Sequence, residues 1–112
     1  MLELADQHIL HEPNQGTPRQ GIELFKEFLN KMDTAYSEKL EDMIFYVCAD
    51  DQNKIAAEFT VHGIYNVAEE GLPAAHGQSY ILPASAFLEV KEGKIKRVAT
   101  NYNLEKWIEL VS

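Results

Sequence analysis

The chain has 112 residues, of which 46% are hydrophobic and 25% are charged, and its formal net charge is -8. This size and composition predict a single globular domain over residues 1–112 and exclude a disordered chain. The acidic balance disfavours nucleic acid and anionic membranes as partners, because their phosphates would repel the protein.

The sequence predicts a cytoplasmic protein. No apolar run approaches the roughly 20 residues that span a bilayer, and the first residues lack the basic start and apolar core of a signal peptide. Cys48 is the only cysteine, which excludes an intrachain disulfide. Its position in an apolar run favours a buried, inert thiol.

The first third of the chain predicts one strand and one long helix. Gln7–Glu12 suits a short strand, and Pro13–Gly16 is a cluster of turn residues. Thr17 and Pro18 then predict a helix start, since a capping hydroxyl is followed by a proline in the first turn. The apolar stripe of this helix consists of Ile22, Phe25, Phe28, Leu29 and Met32.

The rest of the chain predicts four antiparallel strands and a short closing helix. The predicted strands are Lys39–Cys48, Lys54–Tyr65, Ser79–Val90 and Ile95–Tyr102. Gly93 can adopt the positive φ that the turn between the last two strands requires, and Asn103 is placed to cap the last helix. The order predicts an α+β domain in which a curved, mainly antiparallel but mixed sheet wraps around the long helix.

Alternation assigns the side chains of the third predicted strand to two apolar faces. Ile81, Pro83, Ser85 and Phe87 share one face, and Leu82, Ala84, Ala86 and Leu88 share the other. A strand that is apolar on both faces is typically covered on both. We therefore expect this strand to form part of a pocket wall.

The chain resembles the ketosteroid isomerases over essentially its whole length. The residues that carry the resemblance are Ala5-Asp6, Pro13 to Gly21, Phe25 to Phe28, Phe59 to Val61, Pro83, Phe87 and Gly93 to Ile95. A second set, Asn14 to Gly16, Glu70 to Pro73 and Tyr102 to Ile108, is similar to ketosteroid-isomerase-related proteins of the SnoaL-like, nuclear-transport-factor-2-like superfamily. The resemblance implies a cone-shaped fold with a deep apolar pocket, a homodimer, and a family N-terminal helix that this chain does not contain.

The resemblance also implies catalytic residues. Ketosteroid isomerases remove and return a proton beside a ketone, using a carboxylate base and two hydrogen-bond donors for the enolate oxygen, an established example of pKa tuning. The base precedes the first-turn proline, so Glu12 is the predicted base, pointing into the apolar cavity. Ser85 stands at the position of one donor, a protonated aspartic acid. Tyr102 is predicted to replace the other, a tyrosine of the N-terminal helix.

The predicted partner is a small apolar ligand, and no cofactor or metal is expected. The residues predicted to contact the ligand are Leu29, Phe59, Val61, Phe87, Val98 and Thr100. No pair of histidines has the spacing of a zinc site, and no glycine-rich phosphate loop is present in the sequence.

Three functions remain open from the sequence. The first is cofactor-independent chemistry of the isomerase or cyclase type, with Glu12 as general base. The second is a ligand-binding or protein-interaction module without chemistry, which the replaced donors favour: Ser85 stands for the aspartic acid and Leu29 for a supporting tyrosine. The third is activation of water, as in the related epoxide hydrolases, whose carboxylate–arginine relay is not visible in the sequence.

Overall fold

A computed structural model describes residues 2–13 and 16–112 of the chain. The strands are β1 (Ala5–Pro13), β2 (Arg19–Gln20), β3 (Tyr36–Val47), β4 (Lys54–Tyr65), β5 (Gln78–Lys91) and β6 (Lys94–Tyr102). The helices are a 3-10 turn at Leu2–Leu4, α1 at Ile22–Ala35 and α2 at Leu104–Val111. The predicted turn at Asn14 and Gln15 lies outside the described residues.

The six strands form one mixed sheet in the order β2-β1-β6-β5-β4-β3. Strands β3 to β6 pair antiparallel in sequence order, whereas β1 pairs parallel with β6. The sheet curves without closing, and β2 and β3 are its free edges. The predicted α+β class with a curved, mixed sheet is confirmed.

The predicted start of the long helix is wrong. Residues 19–20 form β2, which pairs with β1, so the chain remains extended beyond Pro18. Gly21 follows with a φ of 100°, a conformation that suits glycine, and α1 begins at Ile22. Each of the two α-helices in the described part of the chain is too short and too polar to cross a membrane.

Cys48 is exposed, contrary to the prediction of a buried thiol. It follows directly after β3, which is an edge strand and has neighbours on one side only. The apolar run before it is itself largely exposed: Phe45 is 59% and Val47 is 58% accessible. An apolar run in an edge strand therefore does not guarantee burial.

Two apolar clusters hold the helices against the sheet. The first joins α1 to β1 and β6 and consists of Ala5, Ile9, Phe25 and Val98, with Ile22, Phe28, Leu29, Leu88 and Ile95 packed on it. The second joins α2 to β4 and β5 and is centred on Val61, Tyr65, Tyr80, Leu82, Trp107 and Val111. Both helices therefore cover the same face of the sheet, at opposite ends.

We call the helix-covered side of the sheet the inner face and the opposite side the outer face. Side chains alternate along each strand, so cross-strand partners share a face. Val61 pairs with Leu82, and both are buried in the cluster beneath α2. Val98 pairs with Leu88 beneath α1. These pairs fix the inner face of β4, β5 and β6.

Candidate functional site

The structure divides the predicted site residues between the two faces of the sheet. Those that lie on the inner face or pack against it are Leu29, Phe59, Val61, Val98, Thr100 and Tyr102. Glu12, Ser85 and Phe87 lie on the outer face. The strand pairings explain this division between the faces. Ser85 lies opposite Asn101 and Phe87 lies opposite Ala99, and each of these four residues is the sequence neighbour of an inner-face residue.

Glu12 forms an ion pair on the outer face. Its Oε1 lies 2.5 Å from Nε of Arg97, and the two side chains are 37% and 35% exposed. The residue opposite Glu12 is Ala99, which in turn lies opposite Phe87 on the outer face. The structure therefore does not bring Glu12 together with Tyr102, and its carboxylate does not point between the helices and the sheet.

The neighbour of Glu12, His11, is the residue that points inward. It is 1% exposed, and its ring lies 5.6 Å from that of Phe25 and 4.4 Å from that of Phe28. Nη1 of Arg19 lies 3.4 Å from Nδ1 of His11. Burial and the positive charge of Arg19 lower the pKa of the imidazole. His11 is therefore a buried, neutral side chain that packs where β1, β2 and α1 meet.

Small side chains line the inner face between the two apolar clusters. Ala57 lies opposite Ala86, and Ala86 lies opposite Thr100. Phe59 of the α2 cluster is the next inner-face residue along β4, and it lies opposite Ala84, which in turn lies opposite Tyr102. Ala57 and Ala86 are buried, whereas Ala84 is partly exposed. We call this stretch, from Ala57 and Ala86 to Ala84, the inner-face floor; an apolar ligand can contact it at the Ala84 end.

Tyrosines and glutamates face one another at the α2 end of the inner face. The hydroxyl of Tyr80 donates to Oε2 of Glu38 at 2.6 Å, and that of Tyr36 donates to Oε2 of Glu69 at 3.1 Å. Burial and the nearby carboxylates raise the pKa of Tyr36, Tyr80 and Tyr102. We call these five residues the Tyr–Glu cluster; its phenols remain protonated donors at neutral pH.

A glycine permits the contact between Tyr80 and Glu38. Gly63 of β4 lies between them in the sheet, opposite Glu38 on one side and Tyr80 on the other. A Cβ at Gly63 would lie 2.2 Å from Cζ and 2.4 Å from the hydroxyl oxygen of Tyr80. The phenol ring therefore crosses β4 in space that any other residue would fill.

Local sequence patterns do not reveal the Tyr–Glu cluster. Its members come from β3, β5, β6 and the loop after β4, and they meet only when three strand registers are known. One signal was present: a glycine inside a strand marks a close approach of another group. Gly63 is such a glycine, and Tyr36 and Glu38 alternate onto one face of β3.

The described residues also border two surface depressions. One, of about 380 Å³, is lined in part by Ser85 and Tyr102. The other, of about 370 Å³, includes Cys48, Phe87 and Arg97 in its lining. In residues 2–13 and 16–112, no three histidine, cysteine, aspartate or glutamate side chains are grouped so that they could hold a metal ion.

Comparison with known proteins gives close structural relatives. No family model and no curated protein matches the sequence. A provisionally assigned polyketide cyclase from Pseudomonas putida KT2440 is 45% identical, with a TM-score of 0.95; the match covers 99% of this chain and 83% of that one. A second provisional polyketide cyclase, from Silicibacter sp. TM1040, is 43% identical, with a TM-score of 0.96, and the match covers 100% and 81%.

A more distant structure shares the fold alone. The provisional SnoaL-like polyketide cyclase from Jannaschia sp. CCS1 is 14% identical, with a TM-score of 0.79. The match covers 98% of this chain and 74% of that one.

Proposed function

The chain belongs to the SnoaL-like, nuclear-transport-factor-2-like family with the ketosteroid isomerase fold, and we propose that it is a cofactor-independent enzyme of the isomerase or cyclase type. The substrate is a small apolar carbonyl compound that binds on the inner face. The reaction begins with removal of a proton from the carbon beside the carbonyl. The observation that carries this proposal is the Tyr–Glu cluster, which offers carboxylates and protonated phenols on the same face of the sheet, at the Tyr102 end of the inner-face floor.

The apolar part of the substrate rests on the inner-face floor. Ala84 leaves the end of the floor beside Tyr102 partly exposed, and Phe59, which lies opposite Ala84, provides apolar contact there. A small number of polar groups beside such a surface fixes the orientation of a ligand. Tyr102 supplies one of them: its raised pKa keeps the phenol protonated, so that it can donate to a carbonyl or enolate oxygen.

Three of the predicted site residues have no part in this proposal. Ser85 and Phe87 lie on the outer face, on the far side of the sheet from the proposed substrate. Glu12 lies there too and is engaged by Arg97. A base must lie within hydrogen-bond reach of the proton that it removes, which argues against Glu12.

Ligand binding tests the location of the substrate. 2-Naphthol is a suitable probe, because its ionised oxygen on an aromatic ring resembles an enolate. We expect wild-type protein to bind it in a calorimetric titration, and Ala84→Leu, which fills the floor opposite Tyr102, to weaken binding at least tenfold. Ala56→Leu adds the same side chain to the outer face of β4 and is the matched control. Equal affinity of the two variants, or no binding by wild type, contradicts the proposal.

Proton exchange tests the reaction. The hydrogens beside the carbonyl of 2-tetralone, an apolar bicyclic ketone, exchange with D₂O when a base forms the enolate. We expect the protein to accelerate this exchange at neutral pH, as followed by NMR, and Ala84→Leu to remove the acceleration. A protein that binds 2-naphthol on the inner face but exchanges no ketone is a binding module.

We also propose that the protein is a homodimer that pairs through its outer face. Large apolar side chains are exposed on that face: Ile44 is 51%, Ile81 is 58% and Phe87 is 49% accessible. An apolar patch of this kind typically marks an interaction surface. A second copy of the chain would cover it by presenting the same residues across a two-fold axis.

A further inference from the structure

We propose that Glu38 is the general base of the reaction and that Tyr80 is its positioning residue. This assignment rests on the proposed function above, because it names the group that takes the proton. It replaces the sequence-based assignment of the base to Glu12.

The carboxylate of Glu38 is oriented by a hydrogen bond from a buried side chain. One carboxylate oxygen accepts the 2.6 Å hydrogen bond from Tyr80, a residue that is 3% exposed and held by its packing against Trp107. Because a buried ring has little freedom, this bond fixes the direction of the carboxylate. The residue Glu38 itself is exposed at the α2 end of the inner face, and its charge acts on the phenol of Tyr102, so a ligand held at this end can contact both residues.

Charge distinguishes Glu38 from the two competing carboxylates. Glu12 is paired with Arg97 at 2.5 Å, and Glu69 lies 3.7 Å from Nζ of Lys31. Within the described part of the chain, no lysine, arginine or histidine nitrogen lies within 4.0 Å of the Glu38 carboxylate. In that part of the chain its negative charge is therefore not paired with a cation, and the carboxylate accepts a hydrogen bond from the phenol of Tyr80.

The proton-transfer step follows from this arrangement. A carboxylate oxygen of Glu38 forms an O–H bond with a hydrogen on the carbon beside the carbonyl, and the C–H bond breaks. The C–H electron pair forms the C=C bond of the enolate, and the π pair of the C=O bond moves to the oxygen, which accepts a hydrogen bond from the phenol of Tyr102. The Glu38 carboxylic acid then returns its proton, or a deuteron gained from D₂O, to carbon.

The test uses the exchange of 2-tetralone hydrogens in D₂O by the whole chain. We expect Glu38→Gln to lower kcat at least 100-fold with little change in KM, because the amide retains the shape but cannot take a proton. Glu12→Gln should exchange at the wild-type rate. Tyr80→Phe should lower kcat several-fold with KM unchanged, since it removes the bond that orients the base.

Chemical rescue separates a base from a structural role. Glu38→Ala opens space beside the substrate, and added formate can then act as an external base. We expect formate to restore exchange in Glu38→Ala in proportion to its concentration, and to leave Glu38→Gln unchanged, because the amide fills the space. Rescue supports the assignment, and a Glu38→Ala variant that binds 2-tetralone but is not rescued overturns it.

The outcomes separate this inference from the proposed function. Wild-type exchange rates in Glu38→Gln together with lost exchange in Glu12→Gln would overturn the assignment of Glu38 and leave the proposed function in place. A wild-type protein that neither binds 2-naphthol nor exchanges 2-tetralone would overturn both. Circular dichroism spectra that match wild type confirm that each variant is folded.

Discussion

The hydroxyl of Tyr80 donates a 2.6 Å hydrogen bond to Glu38 across a strand to which neither residue belongs. Tyr80 lies in β5 and Glu38 in β3, and Gly63 of β4 lies between them. Because Gly63 has no side chain, the ring of Tyr80 can pass over β4 on the inner face and reach Glu38 on β3. This contact also brings a buried phenol to an exposed carboxylate.

Gly63→Ala is predicted to destabilise the protein by about 1–3 kcal/mol, the usual cost of forcing an extra methyl group into a packed site. The new Cβ overlaps Cζ of Tyr80, so the ring has to move away from Glu38. Urea unfolding of wild type and variant measures the effect. In a Tyr80→Ala background the ring is absent, and Gly63→Ala should then cost less. Equal losses of unfolding free energy in the two backgrounds would show that the added methyl group does not contact the ring of Tyr80.

The sequence was sufficient to predict five of the six strands, because their patterns are local, but not the two-residue strand β2. The prediction of Lys54–Tyr65 matches β4 residue for residue, and alternation correctly separated Ser85 and Phe87 from Ala84 and Ala86. The predicted cap is also present, since the side chain of Asn103 accepts a hydrogen bond from the backbone of α2.

The candidate site was not predicted, because it depends on register between distant strands. A resemblance aligns Glu12 with a family position, but whether its side chain points in or out changes with a shift of one residue along the strand. Strand β1 also pairs with β6, and the partner Arg97 is 85 residues away in sequence. The Tyr80–Glu38 contact depends on the β3–β4 register, on the β4–β5 register and on the glycine at position 63. No local sequence pattern contains this combination.

Acid should weaken the fold through His11. Burial and the charge of Arg19 hold its pKa in the folded state below the ordinary value of 6.5. As the pH falls below 6.5, the unfolded chain takes up this proton first, so stability is lost between 6.5 and the lower folded-state pKa. We expect the free energy of unfolding to fall between about pH 7.5 and pH 5, and His11→Gln to flatten this fall.

The control for this prediction is His76→Gln, a change at an exposed histidine in the loop before β5. It should leave the acid dependence as in wild type. A dependence that survives intact in His11→Gln would mean that other groups cause it, since the rings around His11 are those of Phe25 and Phe28 and its charged neighbour is Arg19.

Alkali should weaken the fold through the tyrosines of the Tyr–Glu cluster. Burial, with the carboxylates of Glu38 and Glu69 nearby, raises the pKa of Tyr36, Tyr80 and Tyr102 above the ordinary value of 10.0. Above that pH the unfolded chain loses these protons while the folded protein retains them, so stability falls as the pH rises.

Unfolding free energies measured at about pH 9 and pH 10.5 test whether stability falls as the pH rises. Tyr80→Phe removes one of the buried phenols, and we expect a shallower fall for it than for wild type. Tyrosinate absorbance should likewise show that part of the tyrosine signal titrates only when the protein unfolds. An alkaline dependence that is the same in Tyr80→Phe would contradict a role for this phenol.

A charge in the centre of the outer face should prevent dimerisation. Phe87 lies in a cross-strand row with Tyr46, Ala56 and Ala99, and it is 49% exposed in the single chain. In a two-fold interface each substitution occurs twice, so Phe87→Asp places two carboxylates in the contact and removes two rings from it. Light scattering after gel filtration at micromolar concentration should give a dimer mass for wild type and a monomer mass for Phe87→Asp.

Leu24→Asp is the matched control for Phe87→Asp. Leu24 is 46% exposed but lies on α1, away from the outer face, so its substitution should leave the dimer intact. Both variants replace an exposed apolar residue with aspartate, so a difference between them reflects the position of the substitution and not its chemical nature. Dissociation by Leu24→Asp alone would place the contact on the helix side of the sheet and would contradict pairing through the outer face. A wild-type monomer would leave the apolar side chains of the outer face without a second copy to cover them, and would contradict the proposed dimer.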